Sequence, residues 1–261
     1  MMKKCIFSWF GYVMPLPERL KLIKDSGFDA TCLWWEDETY PRIIPVDDMP
    51  AMVRDHGLLI DNIHCPYEDV NELWSEDQSV RKKVIDTYYA YIDSCAKHEV
   101  SHMIMHATNE GYFCDEMSLG VNSLLSLVRR AEEQGIKVVI ENTRDYDIID
   151  FLLSEIDSTF LGLCYDSSHD WIYGQSEGAL LDKWKDRLLC THLSDNNRVE
   201  DKHWIPGDGQ VQWNKIMPNI LRSSIDCITM ELMSSKEKIS EPSIYLTTAF
   251  NQLERIMGIV S

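Results

Sequence analysis

Glu133-Gln134-Gly135-Ile136-Lys137-Val138-Val139-Ile140-Glu141 holds a helix ending, a strand and an acidic side chain in nine residues. Gly135 at the break can take the left-handed conformation that stops a helix cheaply. The apolar run behind it is continuous rather than alternating, as in a strand covered on both faces. The same joint stands at Lys24-Asp25-Ser26-Gly27 before Phe28 and at Arg54-Asp55-His56-Gly57 before Leu58. Three copies of one joint argue for a repeated supersecondary unit.

Working outward from that joint, apolar runs predict eight strands, near 5–10, 30–35, 58–64, 102–107, 137–142, 160–166, 188–193 and 226–232. Helical periodicity lies between them. Val80, Val84, Ile85, Tyr88, Ile92 and Cys95 share one face, as do Val121, Leu124, Leu125, Val128 and Ala131, and Leu246, Ala249, Phe250, Leu253, Ile256 and Met257. Eight alternating units in 261 residues predict one α/β domain over 1–261, a (β/α)8 TIM barrel. An open doubly wound sheet is the alternative, but no G-x-G-x-x-G follows the first strand. The stretch 66–79 reads as a short helix plus loop, placed to cover the barrel mouth.

Composition narrows the function classes. With 43 Asp+Glu against 25 Lys+Arg, the net charge is −18. Duplex nucleic acid and anionic membranes both favour a basic footprint, so this balance argues against them. No run of about 18 apolar residues occurs, so no membrane span is expected. The start, Met1-Met2-Lys3-Lys4-Cys5-Ile6-Phe7, lacks a signal-peptide pattern. The eight Cys include no C-x-x-C pair, and Cys32, Cys164, Cys190 and Cys227 sit in apolar runs. Reduced thiols in a cytoplasmic setting are expected.

A parallel barrel gathers the carboxyl ends of its strands on one face. Those ends carry His64, His106, Glu141, Asp166, His192 and Glu231. One carboxylate at a strand end is more often a helix cap or an ion-pair partner. Glu141, Asp166, His192 and Glu231, ending four successive strands, are harder to explain structurally. Three carboxylates and an imidazole suit a divalent ion such as Mn2+, Mg2+, Co2+ or Zn2+.

Five further residues belong to the same mouth: His64, His106, His169, Asp201 and His203. They could complete a second or third ion site, or contact substrate and orient the first ligands; the latter is the preferred reading, and the sequence does not decide between them. His56, His98 and His102 read as structural. Arg198 is the cation of the loop after strand seven, a candidate for a substrate oxygen; a surface pair with Glu200 or Asp201 is the plainer reading. Pro206-Gly207-Asp208-Gly209 reads as a structural turn, with a backbone phosphate grip as the weaker option. Trp9, Phe10, Trp34, Trp35, Tyr67 and Trp204 crowd the mouth, and Trp35 is the candidate to stack on a sugar face.

His64, His106, Glu141-Asn142-Thr143, Asp166-x-x-His169, His192-x-x-Asp195-Asn196, Asp201-x-His203 with Pro206-Gly207-x-Gly209, and Glu231 together resemble the xylose isomerase-like TIM barrel superfamily. That superfamily includes sugar isomerases and epimerases, inosose dehydratase-like lyases and endonuclease IV. The resemblance implies that Glu141, Asp166, His192 and Glu231 bind the metal. It also implies that Glu141 and Glu231 exchange a proton, and that Arg198 and His169 hold substrate oxygens. The expected function is a metal-dependent isomerase or epimerase of a sugar, sugar phosphate or keto-polyol. It would act by Glu-mediated proton transfer through a metal-stabilised enediolate on a small carbohydrate, with self-association common among such barrels. An endonuclease IV-like zinc phosphodiesterase and a dehydratase are the alternatives, and a barrel kept for binding alone is a third.

Overall fold

The computed structural model describes residues 2–109, 116–174, 177–234 and 241–258. Its strands are β1 Lys3–Phe7, β2 Ala30–Trp34, β3 Leu59–His64, β4 His102–His106, β5 Lys137–Glu141, β6 Leu161–Asp166, β7 Leu188–His192 and β8 Cys227–Met230. They form one parallel sheet in the order β7-β6-β5-β4-β3-β2-β1-β8, the ring order of a (β/α)8 barrel. The ring is completed just past β7, where Leu193 N donates to Thr229 O at 3.0 Å and Glu231 N to Leu193 O at 3.3 Å. The Thr191 hydroxyl takes the place of a ladder partner, accepting Thr229 N at 3.0 Å and donating to Thr229 O at 3.2 Å.

Among the described residues the helices are α1 Leu16–Asp25, α2 Met49–Asp55, α3 Gln78–Lys97, α4 Met117–Gln134, α5 Tyr146–Glu155, α6 Ser167–Tyr173, α7 Ala179–Trp184, α8 Trp213–Arg222 and α9 Pro242–Met257. The predicted apolar stripes face inward: Val84, Tyr88, Ile92 and Cys95 on α3, Leu124, Val128 and Ala131 on α4, and Leu246, Ala249, Leu253 and Ile256 on α9 are buried. Gly27, Gly57 and Gly135 all have positive φ, so each helix stops where its glycine permits the left-handed turn. None of the described helices is long and apolar enough to cross a membrane. The seven described cysteines are free and buried.

The 66–79 segment is built into the barrel wall rather than free over the mouth. Its single 3₁₀ turn, Val70–Trp74, buries Val70, Leu73 and Trp74. Trp74 donates its indole N–H to Ala107 O at 2.8 Å, and Ser123 of α4 donates to Leu73 O at 2.6 Å. Three buried apolar side chains and these bonds outweigh the freedom that a lid would need.

Candidate metal centre

Register brings the strand ends level. His64 pairs with Trp34 of β2, Glu141 with His106 of β4, and His192 with Asp166 of β6. The Asn142 side chain locks β5 to β6, donating to Asp166 O at 2.8 Å and accepting Asp166 N at 2.7 Å. Asp166 then caps α6 by accepting His169 N at 2.6 Å, which turns the His169 ring into the mouth.

Glu141, Asp166, His192 and Glu231 each bring one donor atom within 4.8 Å of the others. Asp166 and His192 are fully buried, and Glu141 nearly so. Burying such groups is costly unless something satisfies them. Here they are not fully satisfied. Asp166 Oδ2 and both ring nitrogens of His192 lack hydrogen bonds among the described residues. His192 Nδ1 lies 3.2 Å from Glu141 Oε2 and 3.1 Å from Glu231 Oε2, yet neither oxygen is aligned for a hydrogen bond. Donors that crowd together without bonding one another fit a cation placed between them.

The electrostatics point the same way. Burial opposes ionisation of Glu141, but the His192 charge and the close imidazoles of His106 and His169 outweigh it, holding its carboxyl well below the usual range. Glu231 is held at about 2 against burial, chiefly by His192. Asp166 is pushed up to about 7 by burial, with His169 opposing and Glu141, Asp201 and Glu231 adding to the rise. His192 is raised well above its ordinary value; burial opposes this, and Cys164, Glu141 and Glu231 outweigh it. The protein alone thus holds protons where a divalent ion would substitute for them.

The five additional candidates reach the same place. His64 Nε2 is 3.1 Å and His106 Nε2 3.6 Å from Glu141 Oε2. His169 Nδ1 is 3.4 Å from Glu141 Oε1. Asp201 Oδ2 sits between His169 Nε2 at 3.0 Å and His203 Nε2 at 2.9 Å. Rings wall the space: Trp34 stacks on His64 at 5.2 Å, and Tyr67 on His106 at 4.2 Å. The resulting cavity is about 500 Å³, within the usual range for a small-molecule site.

Two expectations, those for Trp35 and Arg198, are corrected by position, and the structural reading of the Pro206–Gly209 turn agrees with its contacts. Trp35 does not line this cavity; it is buried against His98, and Trp34 occupies the mouth instead. Successive side chains on a strand point to opposite faces, so neighbouring tryptophans cannot both face the centre. Arg198 is ion-paired with Glu177 at 2.7 Å and lies outside the residues lining the cavity. Its positive φ of 65° fits the tight loop, where its N–H is bonded to Asn196 Oδ1 at 2.7 Å. The Pro206–Gly209 turn cannot offer a free phosphate grip at Gly207. Asp195 accepts Gly207 N at 2.8 Å, Val211 N at 2.9 Å and the Trp213 indole at 3.2 Å. Gly209 is required there, because a Cβ would lie 2.3 Å from Asn196 O.

The sequence reading missed Arg19, Glu36, Glu38 and Tyr40, which also line the cavity. Arg19 is 1 % exposed, pairs with Glu38 and covers the Trp9 ring at 4.9 Å. Its signal was available: Leu16, Arg19, Leu20 and Ile23 are the buried stripe of α1, and an arginine in such a stripe demands a partner. Glu36 and Glu38 carried no such signal, since their loop has no period.

An eight-stranded parallel barrel with a buried carboxylate–imidazole cluster at the carboxyl ends of its strands defines a barrel organised around a candidate cation centre. The chain belongs to the xylose isomerase-like TIM barrel family, whose model matches residues 20–246. It is 29% identical over 120 residues to the uncharacterized protein y4fM of Sinorhizobium fredii, a match covering 43% of this chain and 39% of that protein. It is 21% identical over 199 residues to the fructoselysine 3-epimerase of Shigella flexneri, covering 69% of each. The D-psicose 3-epimerase of Clostridium cellulolyticum H10 superposes with a TM-score of 0.80 at 14% identity, over 98% of this chain and 99% of that one. That last likeness establishes the shared fold.

Proposed function

We propose that this chain is a divalent-cation-dependent epimerase or isomerase of a sugar or related keto-polyol. One observation carries the reading: the convergence of Glu141, Asp166, His192 and Glu231 on a single buried point at the mouth. The likeness to fructoselysine 3-epimerase supports the reaction class.

A divalent cation held by those four residues would supply Lewis-acid polarisation of a substrate carbonyl. Glu141 and Glu231 are both held ionised, so either carboxylate can accept a proton from the carbon beside that carbonyl. Removal by one and return by the other, on opposite faces of that carbon, inverts the centre. Return to the adjacent carbon gives an isomerisation. Proton transfer of this kind contributes about 10²–10⁴-fold. Trp34 and Tyr67 offer ring faces to sugar C–H bonds, and His203, held by Asp201 Oδ2 at 2.9 Å and Glu231 O at 3.2 Å, lines the same cavity.

The test is proton exchange. Metal-loaded protein incubated in D2O with a panel of ketoses is expected to place solvent deuterium at the carbon beside the carbonyl, read by NMR. Glu141→Gln and Glu231→Gln should each abolish that exchange while leaving the fold intact by circular dichroism. Near-normal exchange in either variant removes that residue from the proton-transfer role.

A second reading is a zinc phosphodiesterase of the endonuclease IV kind. Asp201 set between His169 and His203 favours it, because a further ion could bind there. The net charge of −18 and the carboxylates of Glu36, Asp37 and Glu38 at the cavity wall oppose an anionic substrate. Cleavage of an abasic duplex by zinc-loaded protein would establish it.

A further inference from the structure

A second donor cluster lies toward the opposite end of the barrel. Cys5 of β1, Asp61 of β3 and Cys227 of β8 bring two sulfurs and a carboxylate oxygen within 4.8 Å of one another. Cys5 is fully buried and Cys227 is 5 % exposed. A cavity of about 370 Å³, lined by Asp61, Cys227, Ser101 and His102, connects this cluster to the amino-terminal face.

Buried thiols alone pack as small hydrophobes, and Cys5, Ala30 and Cys227 do form a small apolar cluster. Asp61 adds a carboxylate to those two thiols. It reaches into the cluster from a strand two places round the ring, with Thr229 and Asn62 donating to its Oδ2 at 2.7 and 2.8 Å. The cations lining the cavity are engaged elsewhere: Lys3 pairs with Asp226 at 2.7 Å, and Arg54 donates to the His98 carbonyl.

We propose that Cys5, Cys227 and Asp61 form a second cation site, for a thiophilic divalent ion such as Zn2+, with its fourth position open to the cavity. Two thiolates and a carboxylate match that ion's preferences. Bond lengths of about 2.0–2.3 Å in a tetrahedron put neighbouring donors about 3.3–3.8 Å apart. Donors already within 4.8 Å reach that spacing by small side-chain rotations. Each bound ion displaces the two thiol protons to solvent. The site ties β1, β3 and β8 together on the face where barrels carry stability rather than chemistry.

Chelator-stripped, reduced protein titrated with Co2+ is expected to develop a thiolate-to-cobalt charge-transfer absorption. The band should persist in His192→Ala, which alters the mouth, and vanish in Cys227→Ser. Zn2+ should raise the unfolding temperature of His192→Ala but not that of the His192→Ala/Cys227→Ser double variant. Asp61→Asn keeps both thiols and should weaken Co2+ binding at this site by at least about 10-fold, the loss that removing even a ligand's hydrogen-bond partner brings. Absence of the band in the parent protein overturns the proposal, as does a band of full intensity in Cys227→Ser or an unweakened one in Asp61→Asn. Mn2+ avoids thiolates, so its binding reports on the mouth alone and separates failure here from failure of the reading at the mouth.

Discussion

Asp166 and His192 both hold protons more tightly in the fold than they would in an unfolded chain. For each group, stability linked to its proton is present below the unfolded value and is lost as pH rises through the folded one. For Asp166 that loss runs up through about pH 7. A cation in the same place competes with those protons, so its affinity should climb from about pH 6 to about pH 8. Calorimetric titration of Mn2+ at several pH values checks this, and a flat profile would contradict the proton displacement. At this scale the sequence was readable where one strand end supplied one polar side chain, as at Glu141 and Asp166. It failed at Trp34 and Trp35, because which of two adjacent rings faces the centre depends on strand phase. It failed at Arg198 because its partner, Glu177, lies about twenty residues away on another loop.

Among the elements, the Val70–Trp74 turn packs closely against α4. A Cβ on Gly120 would come within 2.1 Å of the Trp74 ring. Gly120→Ala should therefore lower stability by about 1–3 kcal/mol through overpacking. That exceeds the gain of up to about 1 kcal/mol that alanine brings to a helix. Urea unfolding measures the difference, and a variant as stable as the parent would show that Trp74 can move. Helix stops and apolar stripes were legible because they obey local rules. The docking of 66–79 was not, since it rests on contacts with α4, some fifty residues on.

For the whole molecule, eight strand-sized runs sufficed to predict a closed barrel, but not how the last gap closes. The seam depends on Thr191 bonding the backbone of Thr229, a contact without periodicity. Thr191→Val keeps the shape and strands a buried N–H, so it should cost about 1–3 kcal/mol by denaturant unfolding. An unchanged midpoint would mean that the seam is held by other bonds.

Closure matters because it alone brings Glu231 beside His192 and Glu141. The most direct measurement is therefore Mn2+ binding to the chelator-stripped protein, followed by calorimetry. The account predicts one ion per chain, lost in Asp166→Asn, which retains the helix-capping oxygen, and lost in His192→Ala, with both variants folded. No Mn2+ binding by the parent protein, or undiminished binding by both variants, would contradict it.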